Sequence, residues 1–243
     1  MILAAGLGTR LRPLTNDRPK ALVEIGGRPL LEITLARLRA FGVREVIINA
    51  HHFADMIIEY LKAKQNFGMR IEVSREEVLL DTGGGLKKAA WFFLEDSGSE
   101  EPLLLHNVDV ISSIDLLKMT QFHAANQALA MLAAQDRKTS RYLLFDEEGC
   151  LCGRKTEQSQ NQVARTARSP RALAFCGVHI ISPRIFSLMI EQGVFSIIDA
   201  YLRLATQGEK IVAFRADEYY WHDLGRPGDL LQAAEDMRQN ARR

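Results

Sequence analysis

The sequence predicts an α/β fold, with a mostly parallel sheet, helices on both faces and an inserted β-hairpin lobe. Three observations carry this. Short apolar segments alternate with stretches of helical spacing along the chain. A glycine-rich turn follows the first apolar segment. The alternation then breaks once, over residues 137–172, where a hairpin pattern gives way to polar sequence. Strand–helix alternation of this kind needs right-handed crossovers, which makes the sheet Rossmann-like.

The elements follow in order. Residues 1–5 read as a buried strand and 6–16 as a loop. Residues 30–41 have helical spacing, with Leu31, Leu35, Leu38 and Phe41 on one face. EVIINA over 45–50 is a second strand, 54–64 a helix and 70–74 a third strand. Gly83, Gly84 and Gly85 open a helix over 86–94. PLLLH at 102–106 is apolar throughout and reads as a strand buried on both faces. A helix over 116–125 and a strand over 128–134 complete the regular part.

Residues 142–145 and 150–153 flank Asp146-Glu147-Glu148-Gly149 and read as a hairpin. Residues 154–170 are polar and weakly patterned, which predicts a mobile loop. A strand over 173–181, helices over 185–192 and 197–206, and strands over 211–215 and 220–223 follow. Residues 226–243 form a closing helix with Pro227 in its first turn. With no repeat and no linker, the expected organisation is a single domain over 1–243.

Composition narrows the function. The 243 residues are 47% hydrophobic and 25% charged, ordinary for a globular chain. The net charge of +1 offers no global field for nucleic acid or an anionic membrane. No apolar window is long enough to span a bilayer. No charged segment precedes the first apolar run, so no signal peptide is expected, and the cytoplasm follows. That run begins at residue 1 itself, so a few residues are expected ahead of it. The three cysteines, Cys150, Cys152 and Cys176, form neither a disulfide framework nor a zinc site and read as plain thiols.

The chemistry concentrates at the start of the chain. A glycine turn after a buried strand exposes backbone N–H groups, and such a nest binds anions. Gly6 and Gly8 allow close approach of a ligand, while Arg10, Arg12 and Lys20 supply formal charge. Neither of two familiar phosphate loops is present. There is no G-x-x-x-x-G-K-[ST], and Leu11 stands where a dinucleotide fingerprint needs its third glycine.

GLGTRLRPLTNDRPKALVEIGGRPLL closely resembles the signature of sugar-1-phosphate nucleotidyltransferases. LLDTGGGLKKA, LLLHNVDV, FCGVHIISPRIF, GVFSIIDAYL and WHDLGRPGDLLQAAE are similar to later blocks of that family, in the same order. The resemblance covers almost the whole chain. It is strongest to the short bacterial enzymes typified by N-acetylmuramate 1-phosphate uridylyltransferase, with mannose-1-phosphate guanylyltransferases similar over the same blocks. It implies the nucleotide-diphospho-sugar transferase fold and a reaction of an NTP with a sugar 1-phosphate, giving an NDP-sugar and pyrophosphate.

The resemblance also implies roles. Leu3, Ala4, Ala5, Gly6, Gly8, Thr9 and Arg10 would wrap the triphosphate, with Arg10 on its β- and γ-phosphates. Lys20 would sit near the α-phosphate. Asp109 and Asp223 would hold one Mg²⁺, with Asp109 also counted as catalytic. Thr82, Gly83 and Gly84 would form a base-recognition loop. Asn107, Gly177 and Arg154 would line the sugar phosphate. Val108 departs from the glycine usual in that place and adds bulk beside the sugar. UTP with N-acetylmuramate 1-phosphate, or GTP with mannose 1-phosphate, are the expected pairs, on a monomer or homodimer with neither nucleic-acid nor membrane partners.

Two other readings stand beside this one. One is a silent regulatory subunit that keeps the fold; the presence of Arg10, Lys20, Asp109 and Asp223 argues against it. The other is CMP transfer to a phospho-alcohol such as phosphocholine, against which the glycines at 83–85 argue. His51 and His52 are adjacent on an extended segment, point to opposite faces and chelate poorly. The basic run Arg137-Lys138-Thr139-Ser140-Arg141 reads as a solvated face.

Overall fold

The computed structural model describes residues 1–95, 100–156 and 159–240. The chain folds into two compact units: Met1–Leu79 with Asn107–Ser113 and Tyr220–Arg243, and Leu80–His106 with Ile114–Tyr219. The backbone passes from one unit to the other four times. Such interleaving explains why no linker shows in the sequence.

The first unit is built on a parallel ladder. Ile2–Leu3 pairs with Glu45–Ala50, Ile2 opposite Ile48 and Leu3 opposite Asn49. Glu45–Ala50 pairs in turn with Arg70–Arg75. The first strand is two residues long, not the five expected, because Ala4 and Ala5 leave the ladder to begin the turn. The helix Leu30–Ala40 buries Leu31, Leu35 and Leu38, an i, i+4, i+7 stripe. Phe41 lies one residue past that helix and is exposed, so it is not part of the buried face. The helix Ala54–Ala63 buries Ile57 and Leu61.

Two small antiparallel ladders complete this unit. Glu24–Ile25 pairs with Arg28–Pro29, and Val110–Ser112 pairs with Trp221–Asp223. The closing helix runs Pro227–Asn240; residues 241–243, expected to extend it, lie outside the described residues.

The second unit is organised by one long strand, Arg171–Ile181. Its first residues pair antiparallel with Arg141–Phe145, and its last with Leu103–Asn107. Along its other edge it pairs antiparallel with Ala130–Gln135, which Ile211–Arg215 joins in parallel. The expected hairpin is present: Arg141–Phe145 and Leu151–Thr156 pair antiparallel. Its turn is closed by Asp146, whose Oδ1 accepts from the N–H groups of Glu148 and Cys150.

Residues 154–170, expected as a mobile loop, contain the strand Ser159–Val163, which pairs with Leu151–Thr156. Residues 157 and 158 of that expected loop lie outside the described residues. The helix expected over 185–192 is the single turn Ile185–Leu188. Cys150, Cys152 and Cys176 are buried free thiols. Among the described residues, no helix is long and apolar enough to cross a membrane.

His179 is fully buried in the middle of this unit. Its Nδ1 shares a 3.0 Å hydrogen bond with the hydroxyl of Tyr201. Burial pushes the imidazole down to about 3, against an ordinary value near 6.5. The unfolded chain therefore takes up this proton first. The associated stability is complete above pH ~6.5 and drains away as pH falls toward 3, at up to about 1.4 kcal/mol per pH unit. Denaturant titrations at pH 7 and pH 5 test this. Wild type is expected to lose about 2 kcal/mol more over that interval than His179→Gln, whereas equal losses would contradict it.

Candidate functional site

The first unit carries the turn that follows its short first strand. Ala4 leaves the strand with its N–H donated to the side chain of Asn49 at 2.8 Å, and Asn49 donates on to Glu76 Oε1 at 2.7 Å. Both side chains are buried. The carbonyl of Leu3 accepts from the N–H of Val108. Leu3 and Ala4 therefore anchor the turn, and the Ala4 N–H is already spent.

Gly8 is demanded by the fold. Its φ of +63° is left-handed, and a Cβ there would lie 2.9 Å from Thr15 Cγ2 and 3.1 Å from Lys20 Cβ. Its carbonyl accepts from Thr15 Oγ1 at 2.9 Å. Gly6 is different: it is exposed, its φ is not left-handed, and nothing lies within 4 Å of where a Cβ would be. Leu11, in the place of a third glycine, is fully buried and pins the turn Thr9–Leu11, leaving Thr9 and Arg10 exposed.

Four charged residues converge behind this turn. Lys20, almost fully buried, donates from Nζ to Asp109 Oδ2. Asp109 immediately precedes the strand Val110–Ser112, whose partner strand ends in Asp223, opposite Val110. The N–H of Leu224 donates to the Asp109 carbonyl at 2.8 Å, so the two aspartates are tied by backbone as well. Burial raises the Asp223 carboxyl above the usual carboxylate range, and the Asp109 charge raises it further. Lys20 and Arg10 pull it the other way.

Beneath these strands, the Arg37 guanidinium donates to Ser112 Oγ at 2.7 Å, and its own burial draws it down to about 10. Two abutting carboxylates in a partly buried place favour a cation between them. Hard oxygen donors of this kind suit magnesium, which takes one or two protein carboxylates and completes its shell with water and phosphate. Among the described residues no larger cluster of ligating side chains occurs.

The remaining candidates fall in the second unit, apart from Asn107, which ends the strand Leu103–Asn107. Thr82, Gly83 and Gly84 are not a turn ahead of a helix, because the helix begins at Asp81 and contains them. A Cβ on Gly83 would fall 2.4 Å from the Phe195 ring, and one on Gly84 2.4 Å from the Gly193 carbonyl. The glycines thus answer a packing demand. The N–H groups of Gly83 and Gly84 both donate to the Phe195 carbonyl, that of Thr82 to Asp81 Oδ1, and Thr82 Oγ1 accepts from Ile197. None of those three donors is left for a base.

Arg154 forms an ion pair with Asp199 at 2.5 Å. Gly177, at φ +72°, sits where the pairing of Arg171–Ile181 with Ala130–Gln135 shifts register, a place that favours glycine. Val108 is buried. Back in the first unit, His51 Nδ1 lies 2.8 Å from the Glu76 carbonyl while the His52 ring lies tilted against Phe53, so the two rings do different things. Arg137, read as solvated, instead donates to the Phe175 carbonyl.

Four residues of this neighbourhood escape a reading of the sequence: Asn49, Glu76, Arg37 and Gly225. Only Asn49 leaves a trace, as the one polar side chain between the apolar residues of EVIINA.

A glycine turn backed by a Lys–Asp pair and a second aspartate can be set beside a wider set of proteins. The family model described as "Nucleotidyl transferase" matches residues 1–240. The chain belongs to that family. This nucleotidyltransferase is 36% identical over 244 residues to N-acetylmuramate alpha-1-phosphate uridylyltransferase of Caulobacter vibrioides, covering 96% of this chain and 94% of that one. It is 30% identical to mannose-1-phosphate guanyltransferase of Yarrowia lipolytica, of which it spans 61%. Among solved structures, HddC from Yersinia pseudotuberculosis complexed with GMP-PN matches 97% of the chain with a TM-score of 0.76 at 23% identity. UDP-glucose pyrophosphorylase complexed with UDP-glucose matches 98% with a TM-score of 0.75 at 20% identity. Both bear out the α/β fold.

The contrast among the glycines is testable by thermal and denaturant unfolding. Gly84→Ala forces a methyl onto a backbone carbonyl and is expected to cost ~1–3 kcal/mol. Gly6→Ala meets open space and is expected to stay within about 0.5 kcal/mol of wild type. Equal stability of the two variants would contradict the packing account.

Proposed function

We propose that this nucleotidyltransferase moves a nucleoside monophosphate from an NTP to a sugar 1-phosphate, with release of pyrophosphate. UTP and N-acetylmuramate 1-phosphate are the favoured pair, because the relative bearing that name matches nearly end to end at 36% identity. The convergence of Arg10, Lys20, Asp109 and Asp223 in one unit carries the reading. Two cations face two carboxylates there, next to a turn with an unexplained glycine at Gly6.

In-line transfer at phosphorus is catalysed mainly by positioning and by neutralising charge. Gly6 lets a phosphate chain approach the backbone closely, and Arg10 is the exposed guanidinium that would grip the departing pyrophosphate through paired oxygens. Lys20 would stabilise the charge that grows on the α-phosphoryl group in the transition state. Asp109 and Asp223 would hold a magnesium ion, which would supply Lewis-acid neutralisation of phosphate charge. Lys20 rests on Asp109, so the site is neutralised before substrate arrives. The reading rests on the first unit alone. Its compartment would be the cytoplasm, consistent with three buried free thiols, and its working form a monomer or homodimer.

A pyrophosphate-release assay with Mg²⁺, crossing UTP, GTP, dTTP and CTP with N-acetylmuramate, N-acetylglucosamine, mannose and glucose 1-phosphates, tests the reaction. One pair is expected to dominate, and UTP with N-acetylmuramate 1-phosphate to be that pair. In the same assay Lys20→Ala and Asp109→Ala should each lose at least ~100-fold in kcat while still unfolding cooperatively. Near wild-type turnover in either would remove the role assigned to it.

A further inference from the structure

Gly225 lies in the first unit, two residues beyond Asp223, and nothing in its own backbone requires glycine. Its φ is outside the left-handed region. What excludes a side chain there is Arg10. A Cβ on Gly225 would fall 2.8 Å from Arg10 Nη2, 3.0 Å from Cζ and 3.2 Å from Nη1. These are its three nearest atoms, so the planar guanidinium plate fills the place that a side chain on Gly225 would take. Elsewhere Gly84 and Gly153 meet a backbone carbonyl, Gly83 the Phe195 ring, and Gly8 the Cβ of Lys20 and the Thr15 side chain; at Gly225 all three atoms belong to a guanidinium.

The floor beneath the plate is fixed on both sides. The Leu224 N–H is held by the Asp109 carbonyl, and the Arg226 N–H by Asp229 Oδ2 at 2.8 Å. Arg226 also leads directly into the closing helix at Pro227. Arg10 itself is exposed and makes no hydrogen bond among the described residues. Its charge is nevertheless felt at Asp223. Packing on Gly225 therefore holds this long, exposed side chain where its charge reaches Asp223.

We infer that Gly225 is a positioning residue: its missing side chain seats the Arg10 guanidinium next to Asp223, ready for the phosphates of the NTP. The inference rests on the phosphate role proposed for Arg10. A methyl at this point meets the far end of a flexible side chain, so the backbone stays and Arg10 moves. Displacement of about 1 Å at such a group is enough to cost up to ~100-fold in a positioned reaction.

The test is calorimetric titration of inorganic pyrophosphate with Mg²⁺ into wild type, Gly225→Ala, Arg10→Ala and the double variant, alongside their melting temperatures. Pyrophosphate reports on the Arg10 site whatever the base or sugar proves to be. Gly225→Ala is expected to melt with wild type and to bind pyrophosphate about tenfold more weakly. In the Arg10→Ala background the same substitution should change affinity less than twofold, because the group it displaces is gone. Wild-type affinity in Gly225→Ala would overturn the inference, as would a loss that adds in full to that of Arg10→Ala. A wild type that binds no pyrophosphate would instead overturn the proposed phosphate site itself, and the inference with it.

Discussion

The ion pair between Lys20 and Asp109 is the constraint on which the arrangement depends. Lys20 belongs to the N-terminal loop, and Asp109 to the short excursion 107–113 that the chain makes back into the first unit. A lysine this buried is tolerated only with a partner, and a carboxylate beside another carboxylate needs a cation. Each solves the other's problem. Gly8 is left-handed and without a side chain because Lys20 Cβ and Thr15 fill the space beside it. The Val110–Ser112 strand, clamped from below by Arg37, brings Asp223 alongside. The turn, the lysine and both aspartates are thus solutions to one packing and charge problem.

Much of this was legible in the sequence, because local rules govern it. The Leu31, Leu35, Leu38 stripe announces its helix, and the runs at 45–50, 197–206 and 211–215 match observed elements to the residue. The four charged residues stand in blocks that resemble those of the family, and that resemblance singled them out. Elsewhere, distant partners overrule local preference. Gly83, Gly84 and Gly85 read as the opening of a helix over 86–94 because glycine is a poor helix former, yet the Phe195 carbonyl accepts from Gly83 and Gly84 and the 193–197 segment packs closely on both, within a helix that begins at Asp81. Ser159–Val163 is polar and reads as a loop, but an open edge of the hairpin gives it a ladder to join. Asn49 caps the Ala4 N–H from 45 residues away, which no window along the chain can anticipate.

The glycines separate into kinds once their surroundings are known. Gly8 and Gly177 meet a conformational demand, Gly83 and Gly84 a packing demand from the protein, and Gly225 a packing demand from one functional side chain. Gly6 meets none within the protein. A glycine that the fold does not need, in an exposed turn beside four converging charges, fits the proposed site, where a ligand's own surface would be the missing neighbour. That distinction, rather than the mere occurrence of a glycine-rich stretch, supports the phosphate role proposed for the turn.

The central claim is that Asp109 and Asp223 jointly hold a divalent cation together with phosphate. The most direct measurement is a Mn²⁺ titration followed by paramagnetic resonance, with and without pyrophosphate, on wild type and Asp223→Asn. Wild type is expected to sequester Mn²⁺, more tightly when pyrophosphate is present, and Asp223→Asn to weaken this at least tenfold, about 1.4 kcal/mol. Equal Mn²⁺ binding by the two proteins, with pyrophosphate making no difference, would contradict it.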